Sequence, residues 1–232
     1  ISGDGTDLTI TSSNDIVLAV GSAGSVYSSG DGGSQNTIYG NDAGIALASG
    51  VDNNTLIGFE AGKALNGGDE NVAIGSQALV AQTSAGSNVA IGRQAGDSCE
   101  SGGSNVWVGR NAGGATVDVD STVCIGRDAG NGIMTSDADG TVAIGYGAGN
   151  ATTNPTDDEV SVFIGYQAGK ANTVGHGHVA VGYEALLTNV AGGRNTAIGF
   201  QSLKVSTKGS ATDTYNTAVG YKTGLALTSG TH

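Results

Sequence analysis

Two histidines two positions apart are the first residues of this chain whose types and spacing could do chemistry. They lie in Gly175-His176-Gly177-His178, directly before an apolar run. Side chains two apart on an extended strand share a side. Three copies of the chain around an axis would then bring six imidazole nitrogens together, which suits octahedral binding of a transition metal such as iron. The preferred alternative is structural, with His178 continuing a column of polar residues and His176 lying in a glycine turn.

Arginines and aromatic residues form a second candidate site, because they recur at one position of a repeated motif. The position after the motif's last glycine carries Arg93, Arg110 and Arg127 and then Tyr146, Tyr166 and Tyr183. Stacked copies would turn these residues into an arginine ladder followed by an aromatic ladder, and stacked rings stabilise a fold. Stability is the preferred interpretation, and contact with carbohydrate on a receptor is the alternative. The arginines repel one another and need carboxylates, either Asp97 and Asp128 or acidic residues of a neighbouring chain.

The other polar residues do not support an enzyme. Acidic pairs such as Asp118 with Asp120, and the run Asp157-Asp158-Glu159, fall between copies of the motif. Solvated loop charge is their preferred interpretation, and a calcium site is the alternative. The sequence contains neither a Gly-x-Ser-x-Gly nucleophile motif nor a phosphate-binding loop. We therefore predict a chain that is not an enzyme and that holds no cofactor, unless a metal binds the histidines.

Composition and charge exclude several classes of protein. Of 232 residues, 42 are glycine, one is proline and 38% are hydrophobic, which fits neither collagen nor a disordered chain. The net charge of −12 argues against a nucleic-acid partner. No apolar run approaches the roughly 20 residues of a membrane span. Cys99 and Cys124 form no disulfide framework and no zinc spacing, and we expect Cys124 to be packed and unpaired and Cys99 to be more accessible.

These residues are positioned by a repeat that covers most of the chain. Asn71-Val72-Ala73-Ile74-Gly75 is one of eleven related copies of a motif that ends in glycine, and the copies most often follow one another after 17 residues. So short a copy cannot hold a pair of helices, and it is rich in β-branched residues. The predicted fold is therefore all-β, a parallel β-solenoid of about 11 coils over residues 36–232. Residues 1–35 are predicted to form a shaft-like or capping β segment.

Each copy of the motif has two faces, because residues two apart on a strand share a side. The β-branched positions are predicted to be the core of each coil: Val72, Ile74, Val89, Ile91, Val123, Ile125, Val142, Ile144, Val162 and Ile164. The position between them would point outward, and it is alanine at Ala73, Ala90, Ala143, Ala180, Ala197 and Ala218. An apolar strip along a rod is an interface or a liability, so these alanines are predicted to be the contacts of a homotrimer. A monomer that leaves the strip in solvent is the alternative.

Three copies of the motif carry a resemblance to known families. They are Ala143-Ile144-Gly145-Tyr146, Phe163-Ile164-Gly165-Tyr166-Gln167-Ala168-Gly169 and Thr196-Ala197-Ile198-Gly199-Phe200-Gln201-Ser202-Leu203. These copies resemble the YadA-like head repeats of trimeric autotransporter adhesins and the glycine-rich repeats of phage tail fibres, those of cyanophages especially. The resemblance covers about residues 36–232 and implies a left-handed β-roll assembled as a homotrimer. The His-x-His pair is similar to metal sites of some trimeric phage fibres.

The resemblance implies a non-enzymatic structural protein of a virion, a phage tail fibre that supports or performs attachment to a host receptor. The implied partners are two more copies of the chain, other fibre or virion proteins, and host surface glycans. Neither nucleic acid nor membrane insertion is expected. The alternative is the head of a bacterial trimeric adhesin at the cell surface. An ice-binding solenoid is disfavoured, because the predicted outward column is alanine rather than threonine.

Overall fold

The chain stacks into a parallel β-solenoid, as its repeat predicts. The computed structural model describes residues 35–132, 138–150, 160–172, 175–189, 192–206 and 213–227. One three-residue strand from each of eleven coils joins a single parallel sheet, and ten turns separate the first strand from the last. The strands are β1 (Thr37–Tyr39), β2 (Thr55–Ile57), β3 (Val72–Ile74), β4 (Val89–Ile91), β5 (Val106–Val108), β6 (Val123–Ile125), β7 (Val142–Ile144), β8 (Val162–Ile164), β10 (Val179–Val181), β12 (Thr196–Ile198) and β14 (Thr217–Val219).

A second, smaller sheet closes the last coils on their other side. Its four parallel strands are β9 (Ala171–Asn172), β11 (Thr188–Asn189), β13 (Val205–Ser206) and β15 (Ala226–Leu227). Each of these two-residue strands follows the corner of its coil. In the earlier coils, the equivalent residues that the structure describes form no strand.

The described coils all belong to the predicted repeat domain, residues 36–232. The predicted N-terminal segment, residues 1–35, lies outside the described residues except for Gln35, and so does the acidic run at 157–159. Within the described residues, the chain has no helix long and apolar enough to cross a membrane.

The predicted assignment of the two faces is wrong, although the alternation along each strand is right. The central residue of the strand points into the coil, and Ala73, Ala90, Ala143, Ala180 and Ala197 have no exposed surface. Ala218, near the last described coil, is also buried. These alanines therefore pack inside their own chain and are not available as contacts between chains.

The residues predicted to form the core lie instead on the outer face of the long sheet. Val72, Ile74, Val89, Val123, Val142, Ile144, Val162 and Ile164 are only partly buried, and Ile91 and Ile125 are exposed. The physical reason is space, since a coil of 17 residues brings its two walls so close that two columns of branched side chains cannot fit between them. One column of smaller residues fills the interior instead.

The interior is filled by size complementarity across each coil. Where the strand's central residue is large, the position six residues later is glycine, as in Leu56 with Gly62, Trp107 with Gly113 and Phe163 with Gly169. A Cβ added at Gly113 would lie 2.5 Å from the Trp107 Nε1. Where the central residue is alanine, a buried leucine can replace the glycine: Ala73 with Leu79, Ala180 with Leu186 and Ala197 with Leu203. Where alanine coincides with glycine, as in Ala90 with Gly96, the space can be filled from the next coil, here by Trp107, which lies against Gly96.

A buried polar column runs beside this apolar interior. Asn54 and Asn71 are typical: the Asn54 Oδ1 accepts the backbone N–H of Asn71 at 2.9 Å, and the Asn54 Nδ2 donates to the carbonyl of Gly68 at 3.0 Å. The same pattern links each asparagine to the next coil, so every side chain satisfies backbone groups of its neighbours. The column continues without exposure through Thr122, Thr141, Ser161 and His178.

Candidate functional site

The aromatic ladder predicted from the sequence is present as a continuous stack. Ring centroids are 5.2 Å apart from Tyr146 to Tyr166, 4.9 Å from Tyr166 to Tyr183, 5.0 Å from Tyr183 to Phe200 and 5.4 Å from Phe200 to Tyr221. The planes of neighbouring rings differ by 6° to 23°. Each inner ring therefore has both faces covered by other rings, and only its edge and any hydroxyl reach the solvent.

The arginine ladder joins the aromatic stack at its first ring. The guanidinium of Arg127 lies 4.4 Å from the centroid of the Tyr146 ring, a cation–π contact. Its Nε lies 3.4 Å from Asp128 Oδ2. Arg93 Nη1 donates to Gln94 Oε1 at 2.6 Å. The three arginines are exposed, so they and the tyrosine edges form one line that we call the donor strip: Arg93, Arg110, Arg127, Tyr146, Tyr166 and Tyr183.

The carboxylates expected beside the arginines are found there. Asp128 contacts Arg127 and also accepts a hydrogen bond from Asn111 Nδ2 at 3.0 Å. Burial raises the pKa of Asp97, while Ser98, the backbone and the nearby Arg93 act against that rise. Repulsion along the arginines is therefore offset within the chain itself, by groups on the same and adjacent coils.

His178 belongs to the buried polar column, which confirms the structural interpretation of this residue. Its backbone N–H donates to Ser161 Oγ at 3.1 Å, and its Nδ1 accepts the backbone N–H of Asn195 at 3.2 Å. Its Nε2 lies 2.9 Å from Asn189 Nδ2. The side chain points into its own coil, so the premise that this side faces a threefold axis is wrong.

His176 contacts a different set of side chains from those around His178. Its Nε2 lies 3.1 Å from Asp213 Oδ1, and the other carboxylate oxygen of Asp213 contacts Arg194 and accepts the hydroxyl of Tyr215 at 2.9 Å. Within the described residues, no group of three or more histidine, cysteine or acidic side chains is arranged to hold a metal ion. The two predicted metal ligands are thus buried and bonded within a single chain.

We predict that His178 makes the stability of the fold depend on pH. Burial, and secondarily the nearby His176, lowers the pKa of His178 to about 4, from an ordinary value near 6.5. Between about pH 6.5 and pH 4, His178 binds a proton in the unfolded chain but stays neutral in the folded chain. The free energy of unfolding therefore falls as the pH is lowered through this range. The expected loss is about 2–3 kcal/mol.

Urea unfolding at pH 7.5 and pH 4.5 measures this effect. Carboxylates titrate over the same range, so the comparison is between the parent chain and His178→Asn. Asparagine is the residue that most other coils place in this column, and it does not titrate. The parent should lose about 2–3 kcal/mol more than the variant between the two pH values. Equal losses would show that His178 is not the source.

The cysteines are both free and both buried. Burial raises the pKa of Cys124, in the inner column, to about 12, as expected for a packed and unpaired thiol. The expectation that Cys99 is more accessible is wrong, because its side chain is fully buried and its Sγ approaches the carbonyl of Gly102 at 3.8 Å.

The acidic residues of the loops bond to backbone groups on adjacent coils. Asp120 Oδ1 accepts the N–H of Gly103 at 2.6 Å, and Asp139 Oδ1 accepts the N–H of Asp120 at 2.7 Å. Asp118 accepts the hydroxyl of Ser101. These carboxylates link successive coils along one edge of the solenoid, which agrees with a structural rather than a catalytic use of the acids.

One surface feature was not predicted from the sequence: the apolar outer face of the long sheet. Two columns run along it in register through all eleven coils, and apart from Tyr39 in the first coil they consist of valine, isoleucine and threonine. Ile91, Ile125 and Ile198 are 37–39% exposed, and Val219 is 62% exposed. So long an apolar strip on a single chain is a candidate interaction surface. We call it the outer ladder.

No protein-family model, curated protein or solved structure matches this chain. Proposals for its function therefore rest on the outer ladder, the donor strip and the resemblance of the repeat itself.

Proposed function

We propose that this chain is a non-enzymatic structural fibre protein of a virion, a part of a phage tail fibre that supports or performs attachment to the host. The observation that carries the proposal is the outer ladder, an apolar face that continues in register from β1 to β14. Enzymes and small-molecule binders gather a few polar groups in a concave site. This chain instead repeats one coil, which gains length and a long surface for assembly.

Assembly is the use that best fits the outer ladder. We propose that two further copies of the chain cover it around a threefold axis parallel to the rod. Cyclic symmetry of this kind keeps equivalent coils level, so each β-branched side chain meets its own counterparts. The number three comes from the resemblance to trimeric fibre and adhesin repeats. The contact thus moves from the buried alanines to the valine and isoleucine columns on either side of them.

The charge of the chain agrees with an extended assembly in solution. A net charge of −12 on each chain keeps separate rods apart, while the outer ladder itself carries no charged side chain in the eleven strands. Association is thereby directed to one face. The other proposed partners are further fibre or virion proteins, and the proposed location is the tail fibre of the particle.

The assembly is tested by a charge placed on the outer ladder. We expect the parent chain to have three times its 22.6 kDa mass in solution, and Ile91→Glu to be a folded monomer. Ile91 lies on the outer ladder and is already 37% exposed in the single chain, so the coil tolerates glutamate, whereas a trimer would bury three carboxylates in a dry contact. Light scattering after size exclusion measures the mass, and circular dichroism checks the fold.

Ile45→Glu is the matched control for this experiment. Ile45 is 67% exposed in a turn outside the long sheet, so the same substitution there should leave the mass unchanged. A parent chain that is monomeric at tens of micromolar, or an Ile91→Glu chain that keeps the parent's mass, would remove the outer ladder as the contact.

The biological setting requires a separate experiment. Gold-labelled antibody against the chain should bind the tail fibres of virus particles prepared from the source of the sequence. Label on the bacterial envelope instead would favour the alternative, the head of a trimeric surface adhesin. That outcome would leave the outer ladder as the assembly face but would replace the viral role.

A further inference from the structure

We propose that the donor strip binds a linear anionic polysaccharide lying along the axis of the rod. The inference rests on the proposed function for its biological meaning, since it names the chemical class of the receptor that such a fibre would touch. The chemistry itself rests on six side chains: Arg93, Arg110, Arg127, Tyr146, Tyr166 and Tyr183.

The strip presents a hydrogen-bond donor at one position of six consecutive coils. Guanidinium groups occupy the first three coils and phenol hydroxyls the next three. The same position holds the short hydroxyl side chain of Ser76 in the coil before and Phe200, which has no donor, in the coil after. The strands that precede these residues, from β4 to β10, pair in register. The donors therefore repeat at the strand spacing of about 4.8 Å. An extended chain of 1,4-linked sugars advances by nearly the same distance, so one acidic sugar can face each coil.

The strip is also where positive charge is concentrated. The chain has nine basic residues against 21 acidic ones, yet three of its four arginines stand on adjacent coils here. Three carboxylates accompany the strip: Asp97 and Asp128 lie beside the arginines, and Glu184, which is paired with Lys204, accepts a hydrogen bond from the Tyr183 hydroxyl. A positive strip on a strongly negative chain attracts an anionic polymer to this line and repels it elsewhere.

The donors are held in place before a ligand arrives. The guanidinium of Arg127 lies 4.4 Å from the centroid of the Tyr146 ring, and the guanidinium of Arg93 donates a hydrogen bond to the side chain of Gln94. The tyrosines are fixed by the stack, with Tyr166 and Tyr183 still 42% and 41% exposed at their edges. Side chains already ordered lose little entropy on binding, which favours affinity. Arginine also forms paired hydrogen bonds with carboxylate and sulfate oxygens.

The ring geometry separates this ligand from two others. Neutral sugars and single-stranded nucleic acids bind aromatic residues through open ring faces. In the stack, the faces of Tyr166 and Tyr183 are covered by neighbouring rings at 4.9–5.2 Å, so only edge-on donors remain. A ligand for this surface must therefore offer regularly spaced acceptors, and negative charge matches the arginines.

The test is a calorimetric titration of the full chain with a sulfated hexasaccharide of defined length, which spans the six coils. We expect saturable binding that weakens as salt rises, because exposed charges are screened. Arg110→Gln should weaken the affinity by at least about tenfold. Tyr166→Phe keeps the stack, loses one hydroxyl and should weaken binding by about threefold.

Two controls make the result specific. Lys63→Gln also removes one positive charge, but from a coil outside the donor strip, where the residue after the motif glycine is Phe59. This variant should change the affinity by less than about twofold. The desulfated hexasaccharide should not bind. Equal binding of the desulfated sugar, equal binding of a single-stranded oligonucleotide of the same charge, or an unchanged affinity for Arg110→Gln would each overturn the proposal. None of these outcomes affects the mass and labelling experiments that test the fibre function.

Discussion

Replacing Trp107 with alanine is expected to lower the free energy of unfolding by about 3–5 kcal/mol. Trp107 is the largest fully buried side chain of the described coils. Its indole fills the interior beside Gly96 and Gly113, and its Nε1 donates to Thr122 Oγ1 at 3.1 Å. Alanine would leave a cavity with glycine on the facing wall, and Leu79, which also borders Gly96, is too small to fill the volume of an indole.

Urea unfolding followed by circular dichroism measures the loss. Trp107→Phe is the matched control, because Phe163 occupies the same position three coils later with glycine opposite. It keeps most of the volume, loses the bond to Thr122 and should cost about 1–2 kcal/mol. A loss of less than about 1 kcal/mol for Trp107→Ala would mean that the coil interior collapses more freely than its glycines suggest.

The repeat itself was predictable, because the spacing of the motif glycines is the spacing of the coils. Each motif glycine ends one strand of the long sheet, from Gly40 after β1 to Gly220 after β14. Backbone pairing of parallel strands requires only that successive copies have the same local conformation. A period with few insertions is therefore enough to predict both the sheet and its register.

The side of the sheet that faces inward was not predictable from hydrophobicity alone. Both columns of the motif are apolar, and valine and isoleucine are usually the more buried residues. The deciding quantity is the width of the coil, which depends on turns that a hydrophobic pattern does not describe. One signal in the sequence does indicate which side faces inward: Trp107 and Phe163 are followed six positions later by glycine, whereas Ala73 is followed six positions later by Leu79. Only residues that face each other across an interior need to compensate in volume.

The candidate site was partly predictable for the same reason. Equivalent positions stack, so the aromatic ladder and the carboxylates beside the arginines followed from the register. The surroundings of His178 did not, because they depend on which side is the interior. Once the alanine side is inside the coil, His178 must be buried, neutral and bonded to Asn195 and Ser161, and its partners come from its own chain.

The outer ladder and the donor strip occupy different positions around each coil and have different proposed roles. The columns that precede the motif glycine face other copies of the chain in the proposed assembly, and the column that follows it faces solvent. Gly126, for example, separates Ile125 on the outer ladder from Arg127 on the donor strip. In the proposed assembly, the corner at each glycine therefore separates the residues that contact other chains from the residues that remain available to a ligand.

Changing one of these corner glycines, Gly109→Ala, is expected to lower the free energy of unfolding by more than about 4 kcal/mol. Gly109 has a φ of +138°, a conformation that costs a residue with a side chain about 1–3 kcal/mol. A Cβ there would also lie 2.6 Å from both the carbonyl carbon and the oxygen of Gly126. Those are backbone atoms of the next coil, so the contact is relieved only if two coils move apart and lose their ladder hydrogen bonds.

Gly67→Ala is the matched control, since it adds the same methyl group to a glycine that needs none of this freedom. The φ of Gly67 lies outside the left-handed region, and a Cβ there would meet its nearest neighbour, Ser84, at 3.7 Å. We expect this variant to unfold within about 1 kcal/mol of the parent, because alanine there mainly restricts the unfolded chain. Urea unfolding of both variants decides the matter. If Gly109→Ala is as stable as Gly67→Ala, the coils tolerate a wider spacing at the corner, and close backbone stacking is not what the repeated glycine provides.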